Sequence, residues 1–265
     1  MSMRTPQEIL QAATVSGSAK AAARKSRGFW PLMAGSALAG AYIALGGVLS
    51  IIIGFGFPEF SAANPGLQRL LSGMVFPIGL MLVVVLGADL FTGNNALLIP
   101  PMFRGQVRPG EVLLNWLLVW IGNFAGALLV AYFLVYLTGI CSSGPYPAAI
   151  EGIAAAKTSA SPWVVFLKGI GANWCVCLAV WLALGGKRLG EKLLACEIPV
   201  FAFVALGFEH CVANMFFIPL AMMQGFEISV SELMLVNLLP ATVGNILGGA
   251  LFVGASQYYL YRNNG

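Results

Sequence analysis

Six long apolar segments, separated by shorter polar stretches, set the pattern of this 265-residue chain. The stretch from Phe29 to Pro58 contains no charged residue, and about 20 such residues cross a roughly 30 Å hydrocarbon layer as an α-helix. The pattern predicts an all-α membrane protein with six transmembrane helices. Segment 1 covers about Phe29 to Phe57, segment 2 begins near Leu70, segment 3 covers Val112 to Leu137, segment 4 covers Trp163 to Gly185, segment 5 includes Ile198 to Met223, and segment 6 covers Leu233 to Tyr259.

Polar residues interrupt two of these segments. Segment 5 contains the stretch GFEHCVANMF, which places Glu209 and the only histidine of the chain, His210, between apolar runs. Segment 2 meets Asp89 and the run LFTGNN before it resumes as ALLIPPMF. A charge at the centre of a bilayer costs at least about 2.5 to 3.5 kcal/mol, so other groups have to compensate it. We therefore expect the second and fifth helices to be broken and to line a polar path.

The two interrupted segments belong to an internal repeat, because matching residues recur at a nearly constant offset. Three residues of segment 2 recur 120 positions later in segment 5: Gly87 as Gly207, Asp89 as Glu209 and Asn94 as Asn214. Two asparagines of segment 3 recur 122 positions later in segment 6: Asn115 as Asn237 and Asn123 as Asn245. Each half thus holds three spans, and since three is odd, the second half enters from the opposite face. The sequence predicts a 3+3 inverted repeat whose broken helices meet at mid-membrane.

The basic residues predict the orientation in the membrane. Only 9% of residues are charged, against about a quarter in soluble proteins. With six spans, 11 of the 14 basic residues fall on one side, and the positive-inside rule places that side, with both termini, in the cytoplasm. We expect a cytoplasmic N-terminal helix at residues 1–28, a six-span transmembrane domain at residues 29–261 and a cytoplasmic tail at residues 262–265, in the cytoplasmic (inner) membrane.

Several classes of chemistry find no support in the sequence. It contains no HExxH, no GxSxG and no second histidine that could complete a metal site. The five cysteines are odd in number and mostly lie in apolar runs, where a free cysteine behaves as a small hydrophobic residue. We expect no cofactor and no nucleic-acid partner. An intramembrane enzyme that uses His210 and Glu209 as acid and base stays as an alternative from another class.

His210 is the first candidate for a functional residue. Neighbours can satisfy a buried histidine, but in a membrane segment, beside Glu209 and an expected helix break, we favour a functional role. Thr92, from the matching break of segment 2, is a natural hydroxyl partner, or it bonds back to its own helix. Asn173 and Asn245 could bind a substrate or the imidazole ring, or they support helix packing beside the breaks.

Charged and apolar residues near the breaks also have two interpretations. Asp89 and Glu209 occupy equivalent positions, and we expect each carboxylate to accept the backbone N–H groups that a broken helix leaves unpaired. Lys157 lies in an outer loop that could cover the pore mouth and attract anions, or it is a solvated loop lysine. Leu80 and Phe203 precede the two breaks and could close the path as apolar constrictions, or they only pack.

Five motifs together resemble the formate/nitrite transporter family. In order they are GADLFTGN, GNFAGALL, GANWCVCLAVW, GFEHCVANMFFIP and GNILGG, and the resemblance covers about Phe29 to Tyr261. It implies a homopentamer of six-helix protomers, each with its own aquaporin-like pore and a central histidine, here His210. One departure is FTGNN in segment 2, where close formate channels often have serine-rich versions. By position the resemblance also implies Thr92 and Asn245 around the histidine, Asn173 and Lys157 on the outer approach, and Leu80 and Phe203 at the constrictions.

These inferences lead to one functional hypothesis with alternatives. We expect a channel in a lipid bilayer for small monovalent anions, with formate as the first candidate. We expect the conjugate acid of the anion to cross the most apolar part of the path, because an anion is costly between Leu80 and Phe203. Proton transfer from a protonated His210 to formate is uphill by roughly 3 to 3.5 kcal/mol in water, which desolvation of the anion could offset, so simple anion flow also stays open. Nitrite or hydrosulfide would suit the same pore, and a non-transporting membrane scaffold is a further alternative.

Overall fold

The computed structural model describes residues 3–262, and within that range all regular structure is helical. Three stretches have π-helical turns: Val130–Tyr136 prolongs α8, Glu232–Leu238 precedes α13 and Ala250–Ala255 joins α13 to α14. The α-helices are α1 (Pro6–Ser26), α2 (Phe29–Gly54), α3 (Pro58–Ala63), α4 (Pro65–Val75), α5 (Ile78–Leu86), α6 (Phe91–Leu97), α7 (Ile99–Phe103), α8 (Pro109–Leu129), α9 (Tyr146–Thr158), α10 (Pro162–Gly185), α11 (Leu189–Leu206), α12 (Cys211–Met223), α13 (Leu239–Gly249) and α14 (Ser256–Tyr261).

The apolar segments predicted from the sequence are present as helices. In the described part of the chain, five helices, including the first part of segment 2, are long and apolar enough to cross a membrane. Segment 5 consists of α11 and α12, which meet at a bend of 52°. Segment 2 also breaks, since α5 ends at Leu86 and α6 begins at Phe91. The all-α membrane fold with a broken second and fifth helix is confirmed.

Two parts of the chain differ from their sequence interpretation. Segment 2 begins at Pro65, earlier than expected, because proline suits the first turn of a helix. The outer connection, expected to be a loop, contains the 13-residue helix α9, and Lys157 lies in its last turn. Of the predicted tail at residues 262–265, only Arg262 lies within the described residues.

A glycine ends the first half of each broken segment. Gly87 and Gly207 have φ angles of 73° and 70°, in the left-handed region that glycine enters without a steric penalty. The next three residues are not helical, and new helices begin at Phe91 and Cys211. Each break therefore redirects the chain and leaves two helix ends inside the protein.

Close helix pairs surround the breaks. Helix α2 packs along α8, and α10 packs along α13. A Cβ atom added at Gly126 in α8 would lie 1.7 Å from the carbonyl oxygen of Ala37, and one added at Gly244 in α13 would lie 2.2 Å from that of Phe166. Only glycine lets these backbones approach so closely. The first and third spans of each half therefore form a tight pair beside the broken span.

The N-terminal helix α1 lies against one end of the bundle. It packs on α7, α10 and α14, so the two described chain ends lie on the same side. We call this side the inner face and the opposite side, which carries α9, the outer face. Thr5 and Glu8 form a capping box that starts α1, and Arg4 donates hydrogen bonds to the carbonyl groups of Leu184 and Gly185 at the end of α10.

We predict that the Gly126→Ala substitution destabilises the protein, because the new methyl group would overlap the backbone of α2. Overpacking of this kind costs about 1 to 3 kcal/mol. The matched control is Gly152→Ala in α9, where a Cβ atom meets nothing within 4 Å and alanine favours the helix by up to about 1 kcal/mol. Thermal unfolding of both variants in detergent measures the difference; equal transition temperatures would contradict the close packing of α2 and α8.

Candidate functional site

His210 lies at the break of segment 5 and contacts Thr92 at the break of segment 2. Its Nε2 atom is 3.0 Å from Thr92 Oγ1, and both side chains are buried. The imidazole also stacks on the ring of Phe203, with centroids 5.7 Å apart. Three of the residues singled out from the sequence are therefore in contact at the point where the two broken segments meet.

The hydrogen bonds of His210 indicate which ring nitrogen carries the proton. Its Nδ1 atom accepts a hydrogen bond from the backbone N–H of Ala213 at 3.1 Å, so the imidazole caps the N-terminus of α12. In a neutral ring the proton then sits on Nε2, which donates to Thr92 Oγ1. Protonation of Nδ1 would break the cap and would place a positive charge at a helix N-terminus, where the helix dipole opposes it. The geometry therefore favours a neutral imidazole with the proton on Nε2.

Asn245 and Asn123 bind the backbone on both sides of the breaks. Asn245 Oδ1 accepts the backbone N–H of Cys211 at 2.9 Å, and its Nδ2 donates to the carbonyl groups of Gly169 and Glu209. The equivalent bonds of Asn123 connect it to Phe91 N–H, the Ser36 carbonyl and the Asp89 carbonyl. Each of these side chains thus binds one N–H and one carbonyl group of a break, which the interrupted helix leaves without a partner, and a carbonyl group of a neighbouring span.

The carboxylates beside the breaks bind side chains. The prediction that Glu209 and Asp89 accept backbone N–H groups is wrong, because the carboxylates take charged and amide donors instead. Glu209 Oε2 accepts from Lys157 Nζ at 3.1 Å and from the amides of Asn214 and Asn237. The side chains of Lys157 and Glu209 are only 14% and 7% exposed. This outer network is a buried ion pair with additional hydrogen bonds, the arrangement that buried charges require.

A matching inner network lies at the break of segment 2. Asp89 Oδ1 is 2.9 Å from Lys20 Nζ, and Asp89 Oδ2 is 2.6 Å from the guanidinium of Arg27. Asn94 donates to Asn115 Oδ1, and Asn115 in turn donates to the carbonyl of Lys20. The outer network has the same two amide bonds, from Asn214 to Asn237 and from Asn237 to the Lys157 carbonyl. Lys20 on α1 is thus the inner counterpart of the outer lysine on α9.

An outer cavity of about 700 Å³ reaches His210 from the outer face. Lys157 and Glu209 line it, so the outer network borders the path. Phe76 and Phe203 also line it, and their rings meet edge to face with centroids 5.8 Å apart. The outer cavity therefore has both charged and aromatic residues in its lining on the way to His210.

An inner cavity of about 180 Å³ lies between α1 and the breaks. Lys20, Leu80 and Leu90 line it, and both leucines are only 2% exposed. Leu90 is the N-cap residue of α6, as His210 is of α12, so the two occupy equivalent positions. Thr92 is fully buried and lines neither cavity. The cavities are thus separated by an apolar zone that holds the contact between His210 and Thr92.

Asn173 lies in the protein interior and not on the outer approach. It is fully buried and lines neither cavity. Its Nδ2 atom lies within hydrogen-bond distance of the Thr92 carbonyl, Asn95 Oδ1 and the Asn245 carbonyl. This placement connects segment 4 to the break of segment 2 and to segment 6.

Lys20, Leu90 and Phe76 were not singled out from the sequence. Leu90 and Phe76 are apolar residues among many, and no sequence signal separates them from packing residues. Lys20 belongs to α1, which carries no repeated motif. The asparagines of the two networks did carry a signal, because they recur at nearly the same offset, 120 residues for Asn94 and Asn214 and 122 for Asn115 and Asn237. Within residues 3–262, no group of three or more His, Cys, Asp or Glu side chains could hold a metal ion.

Comparison with known proteins agrees with this architecture. The family model described as formate/nitrite transporter matches residues 7–259. The chain is 43% identical over 241 residues to the "Probable formate transporter" of Methanothermobacter thermautotrophicus, a match that covers 85% of this chain and 87% of that protein. A solved "FNT family ion channel" has a TM-score of 0.85 and 31% sequence identity to this chain. The match covers 97% of this chain and 99% of the solved chain.

A second solved structure, a "Pentameric formate channel with formate bound", has a TM-score of 0.78 and 27% sequence identity to this chain. The match covers 91% of this chain and 100% of the solved chain. These relatives are channels and transporters, so the protein is a membrane channel and not an enzyme. The family match includes both broken segments, the repeated asparagines and α1. We conclude that this multi-pass membrane protein belongs to the formate/nitrite transporter family.

Proposed function

We propose that this channel carries small monovalent anions, formate first, across the cytoplasmic membrane. The observation that carries the proposal is the apolar zone between the two cavities, which begins at His210 and contains Thr92, with basic residues lining the cavity at either end. Such cavities attract anions, whereas the zone between them is costly for any charge. Formate is the first candidate because one similar solved structure is a formate channel with formate bound.

A lysine paired with a carboxylate lies at each end of the proposed path. At the outer end, the ion pair of Lys157 and Glu209 lines the cavity and supplies an ammonium group that an incoming anion can approach. At the inner end, Lys20 borders the cavity beside Asp89. We assign Phe203 and Leu80 to the constrictions on the outer and inner sides of the histidine, as apolar barriers of the kind that channels use.

The permeating species at the centre is the conjugate acid of the anion, which takes its proton from solvent in the cavity of entry and returns it to solvent in the cavity of exit. A neutral acid avoids most of the desolvation penalty of an anion between the constrictions. His210 and Thr92 supply the polar groups there and hydrogen-bond the carboxyl group in passage. We propose that His210 stays neutral and acts through its Nε2–H, because Nδ1 is occupied by the cap of α12. Asn245 and Asn173 act as positioning residues for the breaks, since their amides bind backbone carbonyls.

The assembly and topology are part of the same proposal. We propose a homopentamer, supported by the pentameric state of a similar solved channel. The inner face is assigned to the cytoplasm, because most basic residues of the chain precede α2 or lie in connections of that side. In this arrangement residues 1–28 and the tail at 262–265 are cytoplasmic, and residues 29–261 form the channel domain in the lipid bilayer.

We predict that purified protein in liposomes takes up labelled formate, because formate is small and monovalent and its acid can cross the apolar zone. Initial rates are measured at pH 5 to 8, with and without an excess of nitrite or hydrosulfide, and empty liposomes serve as the control. A competitor that suppresses formate uptake and is itself carried faster would move the substrate assignment to that anion. Absence of flux for all three would refute the channel proposal.

We predict that the His210→Asn variant keeps the pH dependence of formate flux. Asparagine is a good N-cap and can still accept the Ala213 N–H, but it cannot act as an acid. If the histidine only hydrogen-bonds the substrate, the pH profile follows the titration of formic acid in both proteins. Flux of the His210→Asn variant that no longer responds to pH would instead show that the imidazole donates the proton.

The His210→Ala variant is the matched control, because it removes the cap as well as the ring. Loss of an N-cap costs about 0.5 to 2 kcal/mol, so we expect this variant to unfold at a lower temperature than His210→Asn. Thermal unfolding in detergent measures that difference. Equal stability of the two variants would contradict the cap between His210 and Ala213.

A further inference from the structure

The basic residues of the outer half are concentrated at one place. Three basic residues belong to the outer half of the chain: Arg69, Lys157 and Lys168. All three line the outer cavity. Among the carboxylates of residues 3–262, only Glu209 lines it; Glu59, Glu151, Glu227 and Glu232 do not. The outer cavity therefore has three positive charges against one negative charge among its described lining residues.

The inner cavity also has an excess of positive charge. Arg4, Lys20 and Lys192 line it, and no carboxylate lies among its described lining residues. Lys20 is paired with Asp89, and the guanidinium of Arg4 donates to the carbonyl of Leu184. Lys192 is different, because no side-chain hydrogen bond or ion pair is recorded for it within residues 3–262.

Arg69 is the outer counterpart of this free lysine. Within the described part of the chain it forms no ion pair and no side-chain hydrogen bond, whereas Lys157 is held by Glu209. Arg69 lies in α4 and Lys192 in α11, the first helices of the two broken segments. They precede the break glycines by 18 and 15 residues, a difference of less than one helical turn. Lys168 in α10 also lines the outer cavity and forms no side-chain hydrogen bond or ion pair within residues 3–262. Arg69 and Lys192 are distinguished by their place near the start of a broken segment, one in each cavity.

We propose that Arg69 and Lys192 receive the anion at the outer and inner mouth, and that each sets the rate of anion entry from its own side. This inference rests on the proposed anion transport and adds its two entry residues. An unpaired cation in a confined cavity raises the local concentration of anions and the rate of their capture. The paired lysines contribute less to this field, because a carboxylate beside each one offsets its charge.

The test attaches a positive or a negative group at each position, with the reagent added to one side of the membrane only. Arg69→Cys is studied in sealed right-side-out membrane vesicles and Lys192→Cys in inside-out vesicles. Impermeant methanethiosulfonate reagents of similar size, one carrying trimethylammonium and one carrying sulfonate, are added outside. We expect initial formate uptake to be about two- to five-fold slower with the sulfonate than with the ammonium reagent at low ionic strength, and this ratio to fall towards one at high salt.

Two controls make the result specific. Lys187→Cys in inside-out vesicles removes an exposed basic residue of the inner face that lines neither cavity, so both reagents should give the same uptake. The protein without introduced cysteines reports any reaction at the native thiols, of which four are buried and Cys175 is partly exposed.

The outcomes separate this inference from the proposed function. Equal effects of the two reagents at Arg69→Cys and Lys192→Cys, or a ratio at Lys187→Cys as large as theirs, would overturn the entry role while anion transport stands. Absence of formate, nitrite and hydrosulfide flux in the unmodified protein would refute the transport proposal itself. A charge-dependent, salt-sensitive ratio at the two cavity positions alone supports the inference.

Discussion

An unpaired backbone group in a hydrocarbon environment costs several kcal/mol, and this constraint governs the centre of the protein. Each helix break exposes N–H and carbonyl groups inside the protein, and one asparagine at each break binds one of each. Asn245 and Asn123 each accept one N–H and donate to two carbonyl groups. They can do so only because glycines bring the neighbouring spans within reach. The breaks, and the polar path between them, depend on these amides.

The two halves of the fold share a framework but differ in chemistry. The carboxylates, lysines and amides at the two ends match one another closely. At the centre, one half presents His210 where the other presents Leu90. The contact between His210 and Thr92 therefore has aromatic residues, Phe76 and Phe203, on its outer side and aliphatic residues, Leu80 and Leu90, on its inner side. Along the proposed path, a solute meets the same type of charged entrance from either direction, but a different apolar barrier behind it.

Much of the fold could be predicted from the sequence, because charges inside apolar segments and a constant repeat offset are local signals. The helix breaks follow from Asp89 and Glu209 in this way. The partners of those carboxylates could not be predicted, since Lys20 and Lys157 lie 69 and 52 residues away in the sequence. Helix α9 was missed because glycine, proline and serine are frequent in the connection as a whole, although residues 148–158 contain no proline and five alanines. The backbone bonds of Asn245 depend on the path of a neighbouring helix, which no local pattern describes.

The ion pairs of α1 change what counts as the structural unit of this protein. Lys20 and Arg27 are the recorded cationic partners of Asp89, so a chain that started at Phe29 would leave that carboxylate buried without them. Buried charges are tolerated only when compensated. A helix outside the apolar spans thus supplies a lysine to the carboxylate at each break: α1 supplies Lys20 to Asp89, and α9 supplies Lys157 to Glu209. The N-terminal helix is therefore a wall of the inner cavity and not an appendage to the bundle.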